Sequence, residues 1–375
     1  MNHEPTNKPL ISIAIPTYNR ADFLKNLLNN IMPQVEEMNG LVEICISNND
    51  SNDKTHEVAT SFREKYSDLI KYNKNQENIG ADRNILKLME MAQGDFIWTL
   101  GDDDLIIEGG IKMVVNFVDN KCDKNTGLVI IGCGTNIINK KTVKSSVYSG
   151  TAEKTREKIY KIKTEDVMGT SSGNSFLSVL IFNSDFVKRT IEEEVEIVEK
   201  ATGKYFTHAF LYQLMLLKYP QLDTLKFNEL IIEEGPHYRK PYIEDEFKVF
   251  YVGRKKLNDL LVNSGYMNDF CRMAIVNDQK KLKMFIFKQM AIMKVFDNFN
   301  FFSFPGCLKL FFQGASLGDA IFLSVFFVII YITPAFIMRG LYKIFIKIKY
   351  SKEWEKIWLR NIAIFEKSKV DRRAI

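Results

Sequence analysis

The chain has 375 residues, 26% of them charged and 46% hydrophobic, with a net charge of +5. That balance is ordinary for a globular protein, and the length suits one catalytic-sized domain plus a substantial further part. The five cysteines (Cys45, Cys122, Cys133, Cys271 and Cys307) are scattered and never paired as CxxC, which argues against a disulfide framework or zinc ribbon and favours a reducing compartment.

The first ten residues, MNHEPTNKPL, lack the apolar core of a signal peptide, so the body of the protein is expected in the cytoplasm. LISIAI (10–15) is a short apolar run with β-branched residues, ended by Pro16. ADFLKNLLNNI (21–31) has apolar residues at 23, 24, 27, 28 and 31, the spacing of one helix face. VEICIS (42–47) reads as a second strand, with Cys45 as a reduced, buried thiol. The polar stretch 54–66 reads as a helix and LIKYN (69–73) as a third strand. ADRNILKLMEMA (81–92) repeats the helical stripe. DFIWTL (95–100) is the next strand, EGGIKMVVNFV (108–118) the next helix, and GLVIIG (127–132) closes the series. Strands alternating with helices predict a mainly parallel sheet covered on both faces.

Ligands of such sheets bind beyond the carboxyl ends of the strands. Three strand ends carry unusual polar residues: PTYNR (16–20), SNNDSND (47–53) and GDDD (101–104). Parallel strands place all three on one edge. Like charges as close as Asp102, Asp103 and Asp104 repel, by about 4 kcal/mol for a pair ~4 Å apart near a protein surface. A solvated turn, a helix N-terminus or a metal cation would offset that. Mg²⁺ or Mn²⁺ at a nucleotide site is commonly held by one or two carboxylates plus phosphate oxygens and water. Gly101 lets the turn form and a ligand approach the backbone. The alternative is an acidic turn capping the helix that starts near Glu108.

Residues 132–175 are rich in Lys, Thr, Ser and Gly and read as loops. FLSVLIF (176–182) is a strand candidate. A charged helix follows over about 184–200, an apolar one over 205–219 and a strand at 225–234. Residues 243–300 read as helical. FNFFSFPGCLKLFF (299–312) is aromatic and broken by Pro305-Gly306. AIFLSVFFVIIYITPAFIM (320–338) is 19 residues without a charge, just long enough to cross a bilayer. From Arg339 to Ile375, eleven Lys/Arg stand against four Asp/Glu, a net +7, so the first 338 residues sum to −2. Leu341, Ile344, Phe345 and Ile348 recur at helical spacing among lysines, as in a helix at a membrane interface. The expected organisation is a catalytic domain over 1–240, a helical extension over 241–298 and a hydrophobic, basic, membrane-associated region over 299–375.

IAIPTYNRADFLKNLL, EICISNNDSNDKT and NIGADRNILKLMEMAQGDFIWTLGDDD together resemble family 2 glycosyltransferases, closest in look to abequosyltransferase-like enzymes of O-antigen assembly. The resemblance is strong over residues 10–120, weaker over 170–235 and absent after about 245. It implies a GT-A fold: an α/β, Rossmann-like, mainly parallel sheet with helices on both faces, followed here by a helical, membrane-associated C-terminal region. By that resemblance, Pro16, Thr17 and Tyr18 pack against the nucleotide base, with Arg20 beside them on the donor. Asn49 stands where an aspartate usually reads a pyrimidine base; an amide donates as well as accepts, so the nucleotide stays open. Asp102 lies toward the donor, with Asp103 and Asp104 as ligands of Mn²⁺ or Mg²⁺. The family often has an aspartate where Gly101 stands, so the ligand pair stays open, with Asp103 its safest member. Arg83 and Asn84 face the donor sugar, or form a solvated first helical turn.

In TGKYFTHAFLYQLML, His208 matches the general base that deprotonates the acceptor hydroxyl, a role suited to a side chain of pKa ~6.5. Ser172, Gly173 and Asn174 line the acceptor cleft, and His237 and Arg239 form a lid. The implied function is metal-dependent transfer of a sugar, with inversion, from a nucleotide-sugar donor to a lipid-linked saccharide in cell-surface polysaccharide synthesis. A membrane-associated protein that keeps the nucleotide fold without catalysis is the alternative, supported by Asn49 and Gly101. Nucleic acid is not an expected partner, because the basic tail is interleaved with the apolar run. A nucleotidyltransferase would need a Gly-rich GxGxR loop after the first strand, which is missing. The donor and the +7 tail both belong on the cytoplasmic side, and one crossing at 320–338 does not satisfy both. A monotopic or peripheral helix bent at Pro334, on the cytoplasmic face of the membrane, does. A short first crossing at 299–312 and a buried soluble helix are the alternatives.

Overall fold

The computed structural model describes residues 8–135, 143–144, 158–169, 176–203, 206–234, 253–269, 271–273, 317–334, 337–338 and 340–341. The chain divides into two compact units, one of Met1–His237 with Leu257–Asp278, the other of Tyr238–Lys256 with Gln279–Ile375.

In the first unit, β1 (Ile11–Thr17), β2 (Val42–Asn48), β3 (Ile70–Lys74) and β4 (Phe96–Thr99) alternate with α1 (Ala21–Glu36), α2 (Thr55–Lys65) and α3 (Ala81–Met91). Then come β5 (Leu105–Ile106), α4 (Gly110–Lys121), β6 (Thr126–Thr135), β7 (Val143–Lys144), β8 (Ile159–Ile162) and α5 (Thr164–Gly169). A 3₁₀ turn at Leu177–Val179 leads into β9 (Leu180–Asn183), α6 (Ser184–Glu193), α7 (Val195–Ala201), α8 (Thr207–Lys218) and β10 (Asp223–Glu234). β1 to β4 and β6 thus follow the sequence reading closely, while the short β5 is an addition to it. All seven residues of β2 are buried, as an apolar strand covered on both faces requires. Each fully buried Leu, Ile or Val contributes ~1.5–3 kcal/mol of transfer free energy. α1 buries Leu24, Leu27, Leu28, Ile31, Met32 and Val35, extending the stripe seen in the sequence by one turn through Pro33.

The main sheet path runs β3-β2-β1-β4-β9-β6-β10-β5. β1 pairs in parallel with β2 and β4, β2 with β3, and β10 with β6. β9 is antiparallel to both β4 and β6 and separates them. The sheet is therefore mixed rather than uniformly parallel in its second half, where β5, β7 and β8 also pair antiparallel.

Two elements differ from their sequence reading. The strand expected over 176–182 begins only at Leu180, because the preceding 3₁₀ turn lends its backbone and the Ser178 hydroxyl to the end of β4. The charged helix expected over 184–200 is two helices. Glu194 leaves helical geometry (φ −117°, ψ 32°), and its carboxylate accepts a hydrogen bond from Lys218 at the end of α8.

Cys45, Cys122 and Cys271 are buried free thiols, and Cys133 is buried as well. Burial pushes the Cys45 and Cys122 thiols up to about 12, which keeps them protonated and inert.

In the second unit, the apolar run forms a helix at Leu317–Ile332, ending two residues before Pro334. A residue preceding proline is pushed out of the helical region, which fits this stop. Among the described residues no helix is long and apolar enough to cross a membrane. Phe327 and Ile330 are buried, whereas Ile321, Phe322, Val325, Val328, Ile329 and Ile332 are exposed, spaced as one apolar helix face.

Candidate active site

The carboxyl ends of β1, β2 and β4 lie side by side and are tied together by their loops. The β1 and β2 loops are zipped: Asn49 N–H donates to Thr17 O (3.0 Å), Asn19 N–H to Ser51 Oγ (2.8 Å) and Asn52 N–H to Asn19 Oδ1 (2.7 Å). Asn19 and Asp50 sit at φ +53° and +61°, left-handed positions that short polar side chains tolerate. Asp53 accepts from the backbone N–H groups of Ala21 and Thr55, so the β2 loop caps α1 while turning into α2. Tyr18 stands at this edge with its side chain exposed, unusual for a large aromatic and suited to stacking on a base.

The aspartate turn follows β4. Arg20 reaches from the β1 loop and forks across it, Nη1 to Asp102 Oδ1 at 2.5 Å and Nη2 to Asp103 Oδ2 at 2.9 Å. Thr17 Oγ1 donates to the other Asp102 oxygen at 2.8 Å. The repulsion between two of the three carboxylates is thus offset by a guanidinium. Burial pushes the Asp102 carboxyl up, and Arg20 and Thr17 only partly offset it. Burial also opposes the Arg20 charge, but Asp102 and Asp103 outweigh it and raise its pKa.

Asp104 is buried and turned inward. Ser178 Oγ donates to its Oδ2 at 2.5 Å and accepts from Gly101 N–H at 2.8 Å. A Cβ on Gly101 would lie 3.0 Å from Asp104 Oδ2 and 3.2 Å from Asp103 Oδ1. A side chain at 101 would thus require both carboxylates to give by a few tenths of an ångström, and no unusual φ is involved. β5, directly after the turn, is clamped by Asn30 of α1, whose side chain bonds both Ile106 N–H (2.9 Å) and Ile106 O (3.0 Å). Sequence reasoning missed Ser178 and Asn30. Their one signal was a polar residue inside an otherwise apolar stripe.

Asn49 is buried among amides. Its Oδ1 accepts from Ile79 N–H (3.0 Å) and Asn75 Nδ2 (3.1 Å), and its Nδ2 donates to Asn78 Oδ1 (2.8 Å). Asn84, read as facing the donor sugar, is also buried, bonded to Ser47 and Asn75. Arg83 instead pairs with Glu199 on the surface at 2.8 Å, a contact worth ~0–1 kcal/mol. His208 is buried in the first turn of α8, which meets the first turn of α3 where Thr207 N–H donates to buried Asp82 (3.4 Å). The described bonds gather Thr17, Arg20, Asp102 and Asp103 into one cluster, with Tyr18 and Asn49 on the adjoining loops. Pro16 pairs in register with Ser47 just beneath them. Ser172, Gly173, Asn174, His237 and Arg239 lie outside the described residues.

Among the described residues no group of three or more His, Cys, Asp or Glu side chains forms a metal cage. The aspartate turn nevertheless fits a divalent cation that completes its coordination with phosphate oxygens and water. The Arg20 fork demonstrates that the Asp102 and Asp103 carboxylates converge on a single positive charge.

Parallel strands delivering polar loops and a carboxylate turn to one edge define a GT-A-like α/β fold. Staphylococcus aureus TarS (residues 1–349) has that fold in common with this chain, with a TM-score of 0.54 over 83% of this chain and 80% of TarS, at 16% identity. Residues 12–182 match the model of glycosyl transferase family 2. Abequosyltransferase RfbV of Salmonella typhimurium is 41% identical over 114 residues, which cover 30% of this chain and 34% of RfbV. A Campylobacter jejuni relative, GalNAc(5)-diNAcBac-PP-undecaprenol beta-1,3-glucosyltransferase, is 29% identical over 62% of this chain and 79% of its own length.

Proposed function

We propose that this chain transfers a sugar from a nucleotide-sugar donor to a lipid-linked saccharide during surface-polysaccharide synthesis, as in O-antigen assembly. The observation that carries this reading is the convergence of Tyr18, Arg20, Asp102 and Asp103 at the carboxyl edge of β1, β2 and β4. Tyr18 stacks on the base, and Thr17 holds Asp102 in place. Asp103, the more exposed of the Arg20 pair, and Asp102 would hold Mn²⁺ or Mg²⁺, while Asp104 braces the turn through Ser178. A bound divalent cation would supply neutralisation of the diphosphate leaving group. The acceptor hydroxyl attacks the anomeric carbon, the bond from that carbon to the diphosphate oxygen breaks, and His208 takes the hydroxyl proton.

The lipid-linked acceptor is supported by the Campylobacter relative's name and by the exposed apolar face of helix Leu317–Ile332. That face, with the basic tail, suits a peripheral position on the cytoplasmic side of a membrane.

The test is turnover with a panel of nucleotide sugars, an undecaprenyl-diphosphate saccharide and Mn²⁺. Asp103→Ala and His208→Ala should each lower kcat by about 10²–10⁴-fold. Wild-type turnover in Asp103→Ala sinks the metal assignment, and wild-type turnover in His208→Ala sinks the base.

A further inference from the structure

We infer that Arg20 is the resident counter-cation of the Asp102–Asp103 pair, and that a divalent cation and the donor diphosphate bind together because they displace it together. The inference rests on the proposed metal-dependent transfer but makes a separate claim: metal and guanidinium compete for one place.

The geometry states the competition. The two guanidinium nitrogens lie 2.5 Å and 2.9 Å from oxygens of different aspartates, so Arg20 spans the gap that a cation shared by both would bridge. Thr17 takes the second Asp102 oxygen, so neither oxygen of Asp102 is without a donor. The Arg20 backbone is anchored, its N–H donating to Thr55 Oγ1 at 3.1 Å. Only the side chain is left to move. Its carbon Cζ stands 4.8 Å from the centre of the Phe23 ring, the other face that favours a cation.

The electrostatics then follow. Two carboxylates and one guanidinium carry a net charge of −1. A divalent cation arriving alone must expel Arg20, leaving a guanidinium beside a doubly charged ion with no carboxylate to pair with. That penalty weakens the binding of bare metal. A nucleoside diphosphate removes the penalty, since a planar guanidinium pairs with phosphate oxygens as readily as with carboxylates. Arg20 therefore passes from the aspartates to the diphosphate as the cation enters. Metal and nucleotide each raise the other's affinity, and by linkage the two factors are equal. The same exchange keeps the buried Asp102 compensated between turnovers.

The experiment is Mn²⁺ binding to the full-length protein, read from the electron paramagnetic resonance of free Mn²⁺, alone and with UDP, GDP, CDP or ADP. Wild type should bind Mn²⁺ weakly alone and about 10-fold or more tightly with the accepted nucleotide, within the usual range of coupling. Arg20→Gln should bind Mn²⁺ alone at least about 10-fold more tightly than wild type, with most of the nucleotide coupling lost. Arg20→Lys, a point charge in place of a fork, should fall between and serves as the second variant if Arg20→Gln does not fold by circular dichroism. Unchanged or weaker Mn²⁺ binding in the variants, with wild type binding normally, overturns the exchange and leaves the metal reading standing. No Mn²⁺ binding by any of these proteins, with or without nucleotide, overturns both.

Discussion

Three consecutive aspartates are an electrostatic liability unless each has a partner, and here each has one. Asp102 and Asp103 share Arg20, while Asp104 takes the hydroxyl of Ser178. Ser178 is the more easily overlooked of these partners. It donates to a buried carboxylate and accepts from Gly101 N–H, so it links the turn to the 3₁₀ segment before β9. Ser178→Ala would leave both groups short of a partner in a buried place. A loss of about 1–3 kcal/mol is expected, measured as a lower urea midpoint at unchanged m-value. A wild-type midpoint would mean that water replaces the hydroxyl. In FLSVLIF the only trace of this is one polar residue, Ser178, in an otherwise apolar run, which does not say what it bonds. A serine's partner 74 positions away leaves no mark on its neighbours.

At the scale of elements, the β2 loop does more than border a ligand. Asp53 accepts from Ala21 N–H and Thr55 N–H, and so supplies the first turns of both α1 and α2 with an acceptor. Burial works to raise the Asp53 carboxyl, but the hydrogen bonds from Thr55 and Ala21 outweigh it and hold it below the usual range. A depressed carboxylate stabilises the fold above its unfolded pKa, and that contribution is lost as pH falls through the folded value. Asp53→Ala should therefore cost ~1 kcal/mol at pH 7. The gap from wild type should close as pH is taken below about 3.9, the ordinary Asp value. Urea titrations of both proteins at pH 7 and pH 3 check this, and a gap that persists at low pH would assign the effect to packing. The final aspartate of SNNDSND was visible in the sequence as part of an acidic turn. Its service to two helices was not, because α1 precedes it by a whole strand.

At the scale of the molecule, a net charge of −2 over the first 338 residues and of +7 over the tail ask for different surroundings. Among its described side chains the helix Leu317–Ile332 buries Phe327 and Ile330 but leaves Ile321, Phe322, Val325, Val328, Ile329 and Ile332 exposed along one face, with Tyr331 exposed beside them. Exposed apolar faces of this kind mark contact surfaces. Full-length protein is expected to float with vesicles containing anionic lipid. Val325→Glu with Ile329→Glu should reduce the bound fraction several-fold while the circular dichroism spectrum is kept. Flotation equal to wild type would exclude this face as the contact.

The sequence by itself determined the alternation of β1 to β4 and β6 with their helices, and it placed three polar clusters at strand ends. Those features are written in near neighbours: periodicity, β-branched runs, and turn residues that end them. It also singled out the aspartate turn by its crowded charge at a strand end, and His208 through family resemblance. The tertiary structure decided which strands meet, seating β9 antiparallel between β4 and β6 and bringing Ser178 under the turn. It paired Asp102 and Asp103 with the guanidinium of Arg20, 82 and 83 positions earlier, and Asp104 with the hydroxyl of Ser178. Contacts over such separations depend on how loops close and faces pack, and no local pattern carries that information.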